Sequence, residues 1–147
     1  MKVFLTFLSL FVLGIWCIVF QGDLGSYNHD SLLLKEAAQE CAAGAATFID
    51  EREFAQGRIV FDYNSGKLYV EDYLAYIIKN SKTLSEGKVT YSISFEDEMQ
   101  GFHVANEEKI PAVFVKISVG NYTFFRLPFF KVSNLERSAR YELPERT

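Results

Sequence analysis

The sequence predicts an α+β fold: an N-terminal transmembrane helix continuing into an Ala-rich amphipathic helix, then a second helix and a small antiparallel sheet. Three observations predict it. An uncharged apolar run opens the chain. Apolar residues then recur at helical spacing, and in the last third their period changes to two.

The first element is the run Val3 to Phe20, VFLTFLSLFVLGIWCIVF, whose only polar side chains are Thr6 and Ser9. Both hydroxyls can bond back to a helix backbone. Eighteen residues at helical rise span about 27 Å, enough for a hydrocarbon core. Phe4, Leu8, Phe11, Ile15 and Ile18 are the anchoring side chains expected here. A cleaved signal peptide needs a shorter apolar core and small residues before the cut. This run ends in Ile18, Val19 and Phe20, and Trp16 is too large for a lipobox around Cys17. The reading is therefore an uncleaved anchor over residues 1–22. Lys2 and the terminal amine precede the run, and Asp23 and Asp30 follow it. The positive end stays in the cytoplasm. Residues 23–147 then form one extracytoplasmic α+β domain of a single-pass cytoplasmic membrane protein, in contact with the lipid bilayer.

Gly22 and Gly25 permit a bend, so the sequence leaves open whether the anchor and the next helix form one rod. From Ser26 the pattern is helical, with Leu34, Ala37, Ala38, Cys41, Ala45 and Phe48 on one face. Ala42, Ala43, Gly44, Ala45 and Ala46 make its middle slim. Small residues allow another backbone to approach closely, but Ala is also simply a strong helix former. Ala38, Cys41, Ala42, Gly44 and Ala45 are the candidate helix-packing interface. Asp50 to Phe54 reads as an acidic helical turn that Gly57 ends. Arg58 to Phe61 is a short strand candidate, and Asp62 to Gly66 a turn. That turn has the D-x-N-x-G start of a calcium loop, but Tyr73 stands where the twelfth-position Glu belongs. Lys67 to Asn80 is the second amphipathic helix, with Leu68, Tyr69, Tyr73, Leu74, Ile77 and Ile78 expected inward.

Val89, Tyr91, Ile93 and Phe95 then alternate with polar residues, a half-buried strand. Pro111 to Gly120 is the next strand. Gly120-Asn121 is a hairpin signal with Tyr122 to Leu127 as the returning strand and Pro128 at an edge or bend. Val132 to Leu143 is a last strand candidate, with Leu135, Ala139, Tyr141 and Leu143 on one face. The tail Pro144 to Thr147 is expected to fray.

Composition narrows the function. With 49% apolar and 23% charged residues, fourteen Phe and eight Tyr, the chain is globular and rich in residues suited to strands and cores. A net charge of −4 with scattered basic residues argues against nucleic acid as a partner. Cys17 and Cys41 lie about 36 Å apart if one helix carries both, too far for a disulfide. Each reads as a small apolar helix residue, with lipid attachment or an intersubunit contact open at Cys17. No nucleophile elbow, metal-ligand spacing or phosphate loop occurs, so no enzyme, cofactor or metal is expected. His29 and His103 read as solvated. The carboxylates Glu96, Asp97, Glu98, Glu107 and Glu108 read as a solvated loop. Asn121-Tyr122-Thr123 fits a glycosylation sequon, but the turn alone explains Asn121.

The stretch Leu33 to Ala46, LLKEAAQECAAGAA, directly after the anchor, and Glu51 to Phe61, EREFAQGRIVF, carry a resemblance. An apolar helix running into an Ala-rich helix and then a small sheet resembles the lollipop plan of pilins and pseudopilins. More specifically, it looks like the TadE-like proteins of tight-adherence (Flp) pilus systems in their Gram-positive form. The resemblance covers roughly the first half of the chain and the late hairpin in outline. It implies a structural or assembly component of a pilus or related secretion apparatus. Its partners would be other pilin-like or pilus-assembly subunits, in a homo- or hetero-oligomer. Pilins usually carry a short basic leader, a Gly or Ala before the cleavage point and Glu five residues after it, whereas here the leader is only Met1-Lys2, the run holds no Glu, and Val19 stands five residues after Gly14. That departure fits a minor subunit or membrane-resident assembly factor better than a processed major pilin. The rival expectation is a membrane-anchored extracytoplasmic domain that binds a ligand or wall polymer.

Overall fold

The computed structural model describes residues 2–103, 108–127 and 130–144. Helix α1 runs without interruption from Lys2 to Ala45. At helical rise its 44 residues extend about 66 Å. The bend allowed at Gly22 and Gly25 is not taken. Both glycines lie within the helix, and a Cβ at either would meet nothing within 4 Å. A glycine permits a break but does not impose one, and here the residues on both sides favour helix.

After α1 the chain tightens, with Thr47 N–H donating to Gly44 and Phe48 N–H to Ala45. Helix α2, Glu51–Ala55, starts at Asp50, whose carboxylate accepts from Arg52 N–H and Glu53 N–H. Gly57 follows with φ +85°, the left-handed conformation that suits glycine at a helix end. Arg58 to Phe61 forms no strand. Only a single bridge, Ile49 to Phe61, is made there.

The segment read as a turn at Asp62 to Gly66 is instead the start of helix α3, Tyr63–Asn80. Asp62 is its N-cap and accepts from Asn64 N–H, Ser65 N–H and the Ser65 hydroxyl. Turns and helix starts draw on the same residues, because Asp and Asn side chains hold free N–H groups in both. The Ser65 hydroxyl, then the backbone donors, hold the Asp62 carboxyl below its usual range. Gly66, Val70 and Leu74 are the buried positions of α3. Of the residues expected inward, Leu74 is buried and Tyr69, Tyr73, Ile77 and Ile78 pack against the core, while Leu68 is 59% exposed. Helix α4, Lys82–Glu86, is capped by Ser81.

Strands β1 (Lys88–Glu96), β2 (Ala112–Gly120) and β3 (Asn134–Glu142) form one antiparallel sheet in the order β1-β2-β3. Lys88 pairs with Gly120 and Glu96 with Ala112; Ala112 pairs with Glu142 and Gly120 with Asn134. This overturns the expected hairpin partner. Tyr122 to Leu127 is not a strand, and β3 takes its place beside β2. Asn121 does turn the chain, at φ 58°. Pro128, Glu107 and the last three residues of the tail lie outside the described residues.

The register puts Val89, Tyr91, Ile93 and Phe95 opposite Val119, Ile117, Val115 and Val113, which in turn face Leu135, Arg137, Ala139 and Tyr141. One sheet face is thus apolar apart from Arg137, the arrangement of a sheet covered on one side. The second half of α1 covers it, packing on β2, β3 and α3. Leu34, Ala37, Ala38, Cys41, Ala42 and Ala45 are buried there with Val113, Val115, Ile117 and Val119.

Candidate membrane-proximal site

The first half of α1 makes almost no contact with the rest of the chain. Residues 2–18 are all exposed. Its most apolar 18-residue window has a mean hydropathy of 2.6 and is 0% buried. A helix that is apolar all round and exposed along its length needs an apolar surround. This one is long and apolar enough to cross a membrane. The residues expected to anchor the chain stand open: Phe4 is 66% exposed, Leu8 45%, Phe11 59%, Ile15 46% and Ile18 70%. The two hydroxyls are satisfied within the helix, Thr6 donating to Lys2 carbonyl and Ser9 to Leu5 carbonyl. Such back-bonding removes the cost of a free hydroxyl in hydrocarbon.

The domain begins where this bare stretch ends. After Asn121, Phe124, Phe125 and Phe130 close on α1 through their rings. Phe20 packs on Phe125 at 5.9 Å between centroids and on Phe130 at 5.0 Å. Two turns further on, Tyr27 meets Phe124 edge-on at 5.5 Å and Phe125 at 5.7 Å. Phe124 and Phe125 are buried. Between these ring layers Asp23 is buried, accepting from Arg126 N–H at 2.8 Å, with the Arg126 guanidinium at 3.5 Å. A charge in such a place needs partners of this kind. Arg137, on the covered sheet face, donates to the Ser31 hydroxyl and ties β3 to the same helix. Sequence reading missed this collar, because Asp23 and Arg126 are 103 residues apart.

The candidate packing interface lies elsewhere and faces inward. Ala38, Cys41, Ala42 and Ala45 have no solvent exposure and sit in this chain's own core. Gly44 faces Tyr69 of α3, where a Cβ would stand 2.0 Å from a ring carbon. The slim face therefore serves the sheet and α3, which corrects its assignment to a partner subunit. A small-residue stripe signals close approach but not whose backbone approaches. Cys17 is exposed and Cys41 buried, and both are free thiols. Burial, then the Glu40 charge, pushes the Cys41 thiol up to about 12.

A second correction concerns the acidic loop. Asp97 is fully buried, not solvated. Its Oδ2 accepts from Phe61 N–H and the Tyr63 hydroxyl, and its Oδ1 from Met99 and Gln100 N–H. Burial, then the bond to Asp97, raises the Tyr63 phenol well above its ordinary range. His29 and His103 are exposed. Among the described residues no group of three or more His, Cys, Asp or Glu side chains could hold a metal ion.

Fold and site together define a class: an α+β domain carried on an N-terminal helix long and apolar enough to cross a membrane. No protein-family model, curated protein or solved structure matches the chain.

Proposed function

We propose that this protein is a membrane-anchored structural or assembly component of a pilus or related secretion apparatus, of minor-pilin or pseudopilin type. Its N-terminus lies in the cytoplasm and its domain outside. The observation that carries this reading is α1. One unbroken helix supplies both a bare apolar half and the central core element of the domain. That is the lollipop plan expected of pilin-like subunits, in which a rigid rod links membrane, neighbours and domain.

Because the Ala-rich face is filled by the chain's own sheet, packing with partner subunits falls to the bare half. Phe4, Leu8, Phe11, Ile15 and Ile18 recur at alternating steps of four and three, the spacing of a helix-helix seam. The role is structural rather than catalytic, and it uses no cofactor.

The test is recovery from gently solubilised membranes, with a photo-crosslinking residue at Leu8 or Ile15 and intact-mass spectrometry. Crosslinks to other pilin-like or assembly subunits, from a chain of full uncleaved mass, are expected. A lone monomer at both positions would reject the assembly role. It would favour an anchored binding domain, for which the groove lined by Glu36, Gln39, Glu40, Ala43, Arg140 and Tyr141 between α1 and β3 is the place to look.

A further inference from the structure

We infer that the aromatic collar at the base of the domain is a membrane seat. Its exposed Phe130 and Lys131 lie in the headgroup layer of the bilayer that α1 enters. This rests on the reading that the first half of α1 crosses a membrane.

The height of the collar follows from helix geometry. A hydrocarbon core of about 30 Å takes about 20 residues of helix. Counted from Lys2, whose ammonium belongs at the opposite surface, the core ends near Gln21. Phe20 is therefore at the outer boundary. Phe130 lies 5.0 Å from Phe20 ring to ring, so it stands at the same level. It also packs on Phe125, at 6.1 Å between centroids, yet is 47% exposed. Trp16, one turn below Phe20 on the same helix face, is 41% exposed. Aromatic rings at this level are the usual furniture of a membrane interface, where an apolar body meets a wet edge.

Charge agrees with this placement. The Arg126 side chain is 86% exposed, and Lys131 is exposed beside Phe130. Arg126 follows Phe125 and Lys131 follows Phe130 in sequence, and both of those rings pack on Phe20 at the outer boundary, where lipid phosphates would lie. The nearby carboxylate, Asp23, is buried and already held by Arg126. The collar thus presents rings and cations to the bilayer and keeps its acid inside. A seat of this kind would fix the tilt of the domain on the membrane, which a single helix alone leaves free to rotate.

The experiment uses the full chain in phosphatidylcholine–phosphatidylglycerol vesicles, with bromine-labelled lipids as quenchers of tryptophan. The native chain has one tryptophan, Trp16, which reports on the anchor. A Trp16→Phe, Phe130→Trp variant reports on the collar, and Trp16→Phe, Met99→Trp on a site away from it. Quenching at position 130 several-fold above that at position 99 is expected, with a blue-shifted emission. Adding Lys131→Glu should lower it, since a carboxylate is repelled by anionic headgroups. If Trp16 is quenched while position 130 matches position 99, the seat is overturned and the anchor stands. If Trp16 itself escapes quenching, the anchor reading fails first. Quenching at 130 that ignores Lys131→Glu overturns the part given to the cation.

Discussion

Asp97 has no exposure and meets four donors, two on each oxygen. Either orientation of an Asn amide would turn an NH2 group toward two of those donors. Asp97→Asn should therefore cost about 1–3 kcal/mol in denaturant unfolding, and Tyr63→Phe about 0.5–1.5. The tyrosines add a pH dependence. Burial, then a bond to Glu71, moves the Tyr91 phenol up to about 12, and the Tyr63 phenol is raised as well. In the unfolded chain these phenols ionise near about pH 10. Above that pH the unfolded state holds fewer protons than the folded one, so stability falls as pH rises toward 12. Phenolate absorbance should appear with the loss of circular dichroism, and Tyr91→Phe should shift that loss to higher pH. Cys41 gives a third readout. With its thiol buried and raised, Cys41 should resist maleimide at neutral pH and react only after unfolding.

Glycine shows opposite meanings within α1. Gly25 is open, with nothing within 4 Å of an added Cβ, whereas a Cβ at Gly44 would press into Tyr69 at 2.0 Å. Gly25→Ala should therefore gain roughly 0.5–1 kcal/mol from helix propensity. Gly44→Ala receives the same gain but must displace a ring wedged between Phe48 and Tyr73. Overpacking of this sort costs about 1–3 kcal/mol, so the net change at Gly44 is a loss. Thermal melts of the two variants should move in opposite directions. The same contrast explains the Ala-rich stretch. Its small side chains bring α1 close to the sheet and α3, and the apolar surface comes from Val113, Val115, Ile117 and Val119 of β2.

At the scale of the molecule, the helix is divided by what surrounds it. Residues 2–18 are exposed, while from Phe20 onward the helix carries residues of the collar and the core. A chain starting at residue 19 keeps the buried set and the collar. It should fold in water as a monomer with a cooperative melt and native sheet content by circular dichroism. A molten or aggregated product would mean that the apolar half also supports the domain.

The sequence by itself determined the elements whose signal is local. The apolar run, the Ala-rich face, the amphipathic second helix and the alternating strand around Tyr91 are periodicities within one segment. Each reappears in the structure within a few residues of its expected bounds. Only the tertiary structure decided what those faces meet. It joined the two glycine-flanked helices into one rod, because nothing in the packing asks for a bend. It turned the Ala seam inward onto the sheet, and paired β2 with Asn134–Glu142 rather than with the nearer segment after Asn121. It also buried Asp97 against Phe61 and Tyr63, and Asp23 against Arg126. These are contacts across tens of residues, between side chains whose types are common everywhere. Periodicity records which face of an element is apolar, but the partner of that face is chosen by the whole chain at once, through burial and hydrogen bonding that no single segment contains.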